Sequence, residues 1–135
     1  MFFLSARAEC YLVNHPEPFA ESVRHLQAYA EAGADVLYAP GVSRREEIQG
    51  IVGAVAPKPV NVLISSDLGL RVSDLAYMGV RRISVGSSLA RSAWTGFIRA
   101  ARQIAESGAF IGFREITPFN ELNGFFKASS ASGSK

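Results

Sequence analysis

Short apolar runs alternate with helical periods along almost the whole chain, and this alternation constrains the fold more than any single residue does. Phe2-Phe3-Leu4-Ser5-Ala6 reads as a short first strand. His15-Pro16-Glu17-Pro18 breaks the chain. Phe19, Val23, Leu26 and Ala30 then recur at helical spacing, and Gly33 stands where a helix stops. Ala34-Asp35-Val36-Leu37-Tyr38-Ala39 predicts a second strand, ended by Pro40-Gly41. Ser43 and Glu46 have capping-box spacing, and Ile48, Ile51, Val52 and Val55 form one helical face after them. Pro57-Lys58-Pro59 ends that helix, and Val60-Asn61-Val62-Leu63-Ile64 predicts a buried strand. A helix from Arg71 to Met78, a strand at Arg82-Ile83-Ser84-Val85-Gly86 and a long amphipathic helix marked by Leu89, Ala93, Phe97, Ala100 and Ile104 follow. Ile116, Phe119, Leu122 and Phe126 predict a final helix, and the Ser-rich stretch 129–135 reads as a flexible tail after a domain at 1–128.

Strands separated by helices predict an α/β fold with a parallel sheet and helical crossovers. The strands look almost wholly apolar, the pattern of a sheet covered on both faces. A (β/α)₈ barrel takes about 250 residues, or about 31 per unit. The 135 residues therefore fit four units, half a barrel, and they fit an open doubly wound sheet equally well.

Composition narrows the function classes. Lys plus Arg number 14 and Asp plus Glu 12, too balanced to imply nucleic acid or an anionic membrane as a partner. The one cysteine, Cys10, excludes an intrachain disulfide, and with only His15 and His25 beside it no Cys/His metal cluster can form. The first residues lack a basic n-region, and no apolar run reaches the roughly 18–20 residues of a membrane span. The expectation is a soluble chain in a reducing, cytoplasmic setting.

In a parallel α/β fold, functional residues gather at the C-terminal ends of strands. The first such place is Ala6-Arg7-Ala8-Glu9, where a guanidinium could grip a carboxylate or phosphate, or simply pair with Glu9. Tyr38-Ala39-Pro40-Gly41-Val42 offers no ionisable group beyond a phenol and shapes a pocket. Asn61 is a carboxamide inside an apolar strand and must find partners if buried. Gly86-Ser87-Ser88 could present backbone N–H groups to an anion, with Arg91 one turn further on, or could be a plain N-cap at Ser87. His15 and His25 read as solvated, the latter turned away from the Phe19–Val23 stripe. Cys10 has no adjacent histidine and reads as a small buried apolar residue. Trp94 reads as packing. Five of the nine Phe lie at 110, 113, 119, 125 and 126, so the last helix must dock, on its own core or on another subunit.

Several of these segments line up together. Ala6-Arg7-Ala8-Glu9, the run Tyr29–Gly41 with its Ala32-Gly33-Ala34-Asp35, Pro59-Val60-Asn61-Val62-Leu63, the run Leu75–Gly86 and Asn120-Glu121-Leu122-Asn123 follow one family's order and spacing. Over residues 2–127 the chain resembles the isocitrate lyase/phosphoenolpyruvate mutase superfamily, on its phosphonomutase-like and 2-methylisocitrate-lyase-like side. The resemblance implies a (β/α)₈ barrel of which this chain holds strands five to eight plus a C-terminal helix. It implies Mg²⁺ and a small 2-oxo or 2-hydroxy acid, handled through an enolate-like intermediate with cleavage or formation of a C–C or P–C bond. It assigns substrate binding to Arg7, to Asn61 with Val62 and Leu63, and to Arg91.

Departures from the family pattern thin the site. The family's Mg²⁺-binding aspartates and mobile catalytic loop belong to strands before this segment, so the Mg²⁺ expected for the complete enzyme has no ligands here. Pro40 stands where lyases carry Glu and a mutase carries His, and Phe119 stands where lyases place an arginine. Isocitrate is therefore not the expected substrate, no catalytic residue is assigned, and the isolated chain is expected to be inactive. The alternatives are a non-catalytic, self-associating or small-carboxylate-binding module, and a complete open-sheet monomer that shares only the scaffold. Exposed barrel edges predict a homo-oligomer or a complementing N-terminal half-barrel as partner.

Overall fold

The computed structural model describes residues 2–131, with side chains through Lys127. Four strands, β1 (Ser5–Arg7), β2 (Val36–Tyr38), β3 (Val60–Leu63) and β4 (Arg82–Ser84), alternate with helices α1 (Pro18–Glu31), α2 (Arg45–Ala54), α3 (Val72–Tyr77) and α4 (Ser88–Ser107). A 3₁₀ turn at Ile111–Phe113 and helix α5 (Phe119–Ala131) complete the described chain. The backbone clusters into two compact units, residues 1–89 and 90–135.

In the first unit all four strands are parallel, and their order across the sheet is β1-β2-β3-β4. Strand order settles what the pattern left open. A doubly wound sheet reverses its order at a switch point, whereas successive units of a barrel add strands in sequence. Four consecutive β/α units without a reversal are the barrel arrangement.

Sequence chemistry places most boundaries. Pro18 opens α1, where its missing N–H costs nothing. Gly33 follows the end of α1 at φ +100°, and Gly79 follows α3 at φ +87°, backbone that residues with a Cβ rarely adopt. Arg71 N donates to Asp74 Oδ2 at 2.8 Å and ties the start of α3. Two boundaries differ from the sequence expectation. β1 begins at Ser5, not Phe2, because pairing with Val36–Tyr38 starts there, and Phe2, Phe3 and Leu4 lie exposed before it. The Ser43–Glu46 capping box does not form. Arg44 occupies the N-cap of α2 and its guanidinium pairs with Glu47 instead. The tail expected at 129–135 differs in part: α5 runs through Ala131, and residues 132–135 lie outside the described chain.

The core lies between the sheet and α1, α2 and α3. Leu26, Leu37, Ile48, Ile51, Val62 and Leu75 are all fully buried in it. Ala6 and Ile83 pack against this cluster, and Leu37, Val60 and Val62 belong to it. Side chains alternate along a strand, so Arg7, Tyr38, Asn61 and Ser84 take the opposite face. One face of the sheet is thus apolar, and the other mixes Arg7, Tyr38, Asn61, Arg82 and Ser84 with Val36 and Leu63, so the sheet is not apolar on both faces. In the second unit the 3₁₀ turn sits on α4, with Gly112 so near Ala100 and Gln103 that an added Cβ would lie 2.8 Å from Ala100 Cβ. No residue of α4 is buried. Trp94, expected as packing, is 60% exposed and meets the Phe97 ring at 87°, with 5.3 Å between ring centroids.

Candidate functional site

Arg7, Tyr38 and Asn61 form one row across three neighbouring strands. Arg7 is in register with Tyr38, and Tyr38 with Asn61. Arg7 ends β1, and its guanidinium carbon lies 5.1 Å from the Tyr38 ring centroid, a cation–π stack. Glu9 Oε1 takes the Nε edge at 2.8 Å. The bland reading of Arg7, a pair with Glu9, is therefore present in the structure, but it occupies one edge only. The Nη groups carry no other bond or ion pair among the described residues, and half of the side chain is exposed. Such a fork can still receive a carboxylate.

Asn61 is 2% exposed. Its Nδ2 donates to Ser84 Oγ at 3.0 Å, while its Oδ1 is buried without a partner. A buried acceptor left unmet costs about 1–3 kcal/mol, and Tyr11 Oη, Ser22 Oγ and Gln103 Oε1 share this condition. Val62 points to the core, 1% exposed, and holds Asn61 and Leu63 on the other face. Leu63 reaches Gly86, where an added Cβ would lie 3.4 Å from its Cδ1. Arg91 lies exposed one turn into α4, in the second unit. The structure thus unites Arg7 and Asn61 in one row. Ser88 Oγ, at the start of α4, donates to the Ser65 carbonyl at 3.0 Å.

Sequence reasoning missed Tyr38 as the platform for Arg7 and Ser84 as the partner of Asn61. Period-two alternation in Ser5-Ala6-Arg7, Val36-Leu37-Tyr38 and Arg82-Ile83-Ser84 was the available signal. Cys10 is buried in the core as expected, but it does have a histidine beside it, and His25 is only partly exposed. They are 15 residues apart in sequence, but Cys10 Sγ lies 3.8 Å from His25 Nδ1 because α1 folds back over the loop after β1. His25 Nε2 is 3.1 Å from Glu21 Oε1. The Arg24 guanidinium bonded to Glu21 holds that carboxyl down at about 2. In the neighbouring loop, burial pushes the Tyr11 phenol up, followed in effect by the Glu47 carboxylate beside it.

Comparison with known proteins identifies the family and its fold. The phosphoenolpyruvate phosphomutase profile matches residues 1–105. The chain belongs to that family, within the phosphoenolpyruvate mutase/isocitrate lyase superfamily. An uncharacterised Mycobacterium tuberculosis protein is 28% identical over 104 residues, 77% of this chain and 39% of the relative. A Burkholderia cenocepacia structure named provisionally as a lyase/mutase is 40% identical with a TM-score of 0.84, covering 93% of this chain and 45% of that one. Oxaloacetate acetylhydrolase bound to 3,3-difluorooxalacetate shares the fold at 22% identity and a TM-score of 0.72, over 99% of this chain and 47% of that one. The chain spans less than half the length of these relatives.

Mg²⁺ is the metal that the family implies. Among the described residues no group of three or more His, Cys, Asp or Glu is placed to hold a metal ion. These residues do not fit a complete Mg²⁺ site. Among the described residues no helix is long and apolar enough to cross a membrane.

Proposed function

We propose that this chain forms the carboxylate-binding wall of a lyase- or mutase-type enzyme, in a reducing cytoplasmic setting, whose substrate is a small 2-oxo or 2-hydroxy acid. The observation that carries the reading is the Arg7 guanidinium, fixed on the Tyr38 ring with its Nη groups uncommitted at the C-terminal end of β1. Its role is to grip and orient the substrate carboxylate. Asn61 Oδ1, buried without a donor, is the acceptor for a hydroxyl of the ligand or a water beside it. Pro40 leaves the end of β2 without an acid or base, so this wall binds and positions and does not itself transfer a proton. The enolate-forming chemistry of the complete enzyme belongs to groups outside the described residues, and the isolated chain turns nothing over.

A binding module without turnover is the second reading. Calorimetric titration with oxalate, a mimic of enolpyruvate, tests the shared core of both readings. Oxalate is expected to bind, and Arg7→Ala is expected to weaken it at least tenfold. Equal affinity in Arg7→Ala removes Arg7 from the site and overturns the proposal. A complementing N-terminal half then separates the readings: the enzyme gains lyase or mutase turnover with it, and the module gains none.

A further inference from the structure

The second unit builds a cavity of its own. Arg99 and Gln103 stand one helical turn apart on α4, so they share one face of it. The 3₁₀ turn Ile111–Phe113 presses on that face at Gly112. A Cβ there would lie 2.8 Å from Ala100 Cβ and 2.9 Å from Gln103 Oε1, so glycine is what lets the turn come this close. Phe113 N donates to the Phe110 carbonyl at 3.1 Å and Arg114 N to the Ile111 carbonyl at 3.2 Å, which fixes the turn. The result is a cleft of about 320 Å³ lined by Arg99, Gln103, Ile111, Gly112, Arg114 and Glu115.

The charges and hydrogen-bonding groups of this lining are unmatched. The Arg99 and Arg114 guanidiniums make no hydrogen bond or ion pair among the described residues, and Glu115 makes none either. Two cations against one carboxylate leave the cleft net positive. Gln103 Oε1 is buried with no donor. Two uncommitted guanidiniums on one cleft suit an anion that both can grip. A buried amide oxygen suits a ligand that brings an O–H to it. Ile111 gives a carbon skeleton an apolar wall.

We propose that this cleft binds a small anion that also carries a hydroxyl, with its charged head between Arg99 and Arg114 and its hydroxyl on Gln103 Oε1. Hydroxycarboxylates and phosphomonoesters of short polyols share this chemistry, and the volume suits molecules of that size. All six lining residues belong to the second unit, whereas Arg7 and Asn61 belong to the first. The inference therefore stands whether or not Arg7 grips a carboxylate.

The experiment titrates the isotope-labelled full chain with D-glycerate and, separately, with glycerol 3-phosphate. Binding is read by NMR at the Gly112 backbone amide and the Gln103 side-chain amide. Both signals are expected to shift with at least one ligand, and the tighter ligand names the head group. Acetate, which has no hydroxyl, is expected to bind about tenfold more weakly than glycerate, and Gln103→Leu is expected to erase that difference. Arg99→Gln and Arg114→Gln, both at exposed positions, are each expected to weaken binding about tenfold. The same shifts are expected in Arg7→Ala, and their loss there would assign the anion to Arg7 and overturn the proposal. No shift with either ligand up to about 10 mM overturns it as well. So does acetate binding as tightly as glycerate, or unchanged affinity in both arginine variants. Oxalate that fails to bind at Arg7 counts against the carboxylate-wall reading alone.

Discussion

Asn61 Nδ2 donates to Ser84 Oγ across β3 and β4 at 3.0 Å, while the other end of the same carboxamide is buried with no donor. This bond ties β3 to β4 on the sheet face that carries Arg7 and Tyr38. Asn61→Asp tests what that atom tolerates. The new carboxylate would sit where Asn61 is 2% exposed, and burial raises a carboxyl pKa. A raised folded pKa means stability that is present at low pH and lost as pH rises through it. The expected cost is about 2–4 kcal/mol at pH 7, shrinking towards pH 4 in denaturant titrations. A flat pH profile would show that the site is already wet.

Glu9 competes for the guanidinium that the proposed ligand needs. Its carboxylate holds only Nε of Arg7, and both side chains are about half exposed. Exposed pairs of this kind contribute about 0.2–1 kcal/mol. Glu9→Gln is therefore expected to raise oxalate affinity by roughly 1.4- to 5-fold without changing thermal stability measurably. Weaker binding in Glu9→Gln would mean that Glu9 orients Arg7 rather than opposing the ligand.

The order of strands and helices was legible because each element carries its own period and its own stop, as Gly33 after α1 and Gly79 after α3 show. Their arrangement was not, because strand order depends on contacts between distant segments. Arg7 and Asn61 were legible as strand-end polar residues. Tyr38 was not, because its role exists only once β2 lies in register beside β1. The burial of Cys10 was legible, but its pairing with His25 was not, since the approach of Sγ to Nδ1 is made by the turn into α1 and not by local spacing. The Phe-rich end announced a docking surface but not its partner.

Acid stability carries a signature of α1. The bond from Arg24 holds the Glu21 carboxyl at about 2, below its ordinary 4.5. A depressed carboxyl stabilises the fold above the unfolded value, and that contribution is lost as pH falls through the folded one. Glu21→Gln is expected to flatten the decline in stability between about pH 4.5 and pH 2, as read by circular dichroism. The change should be small at pH 7, because the pair is solvated. An unchanged acid limb would place the acid sensitivity in another carboxylate.

Leu37 is the central residue of β2, fully buried, with Arg7's platform Tyr38 as its neighbour on the opposite face. Leu37→Ala deletes apolar volume from a core shared by the sheet and its helices. Such deletions cost about 2–5 kcal/mol, the larger figure where the surroundings cannot collapse. A small sheet of three- and four-residue strands has little backbone pairing to resist the loss. Denaturant unfolding should therefore show a fall of about 3 kcal/mol, and oxalate affinity should drop with the population of folded chain. If the fall is below about 1 kcal/mol, the sheet is not packed as described and the row that holds Arg7 over Tyr38 has another support.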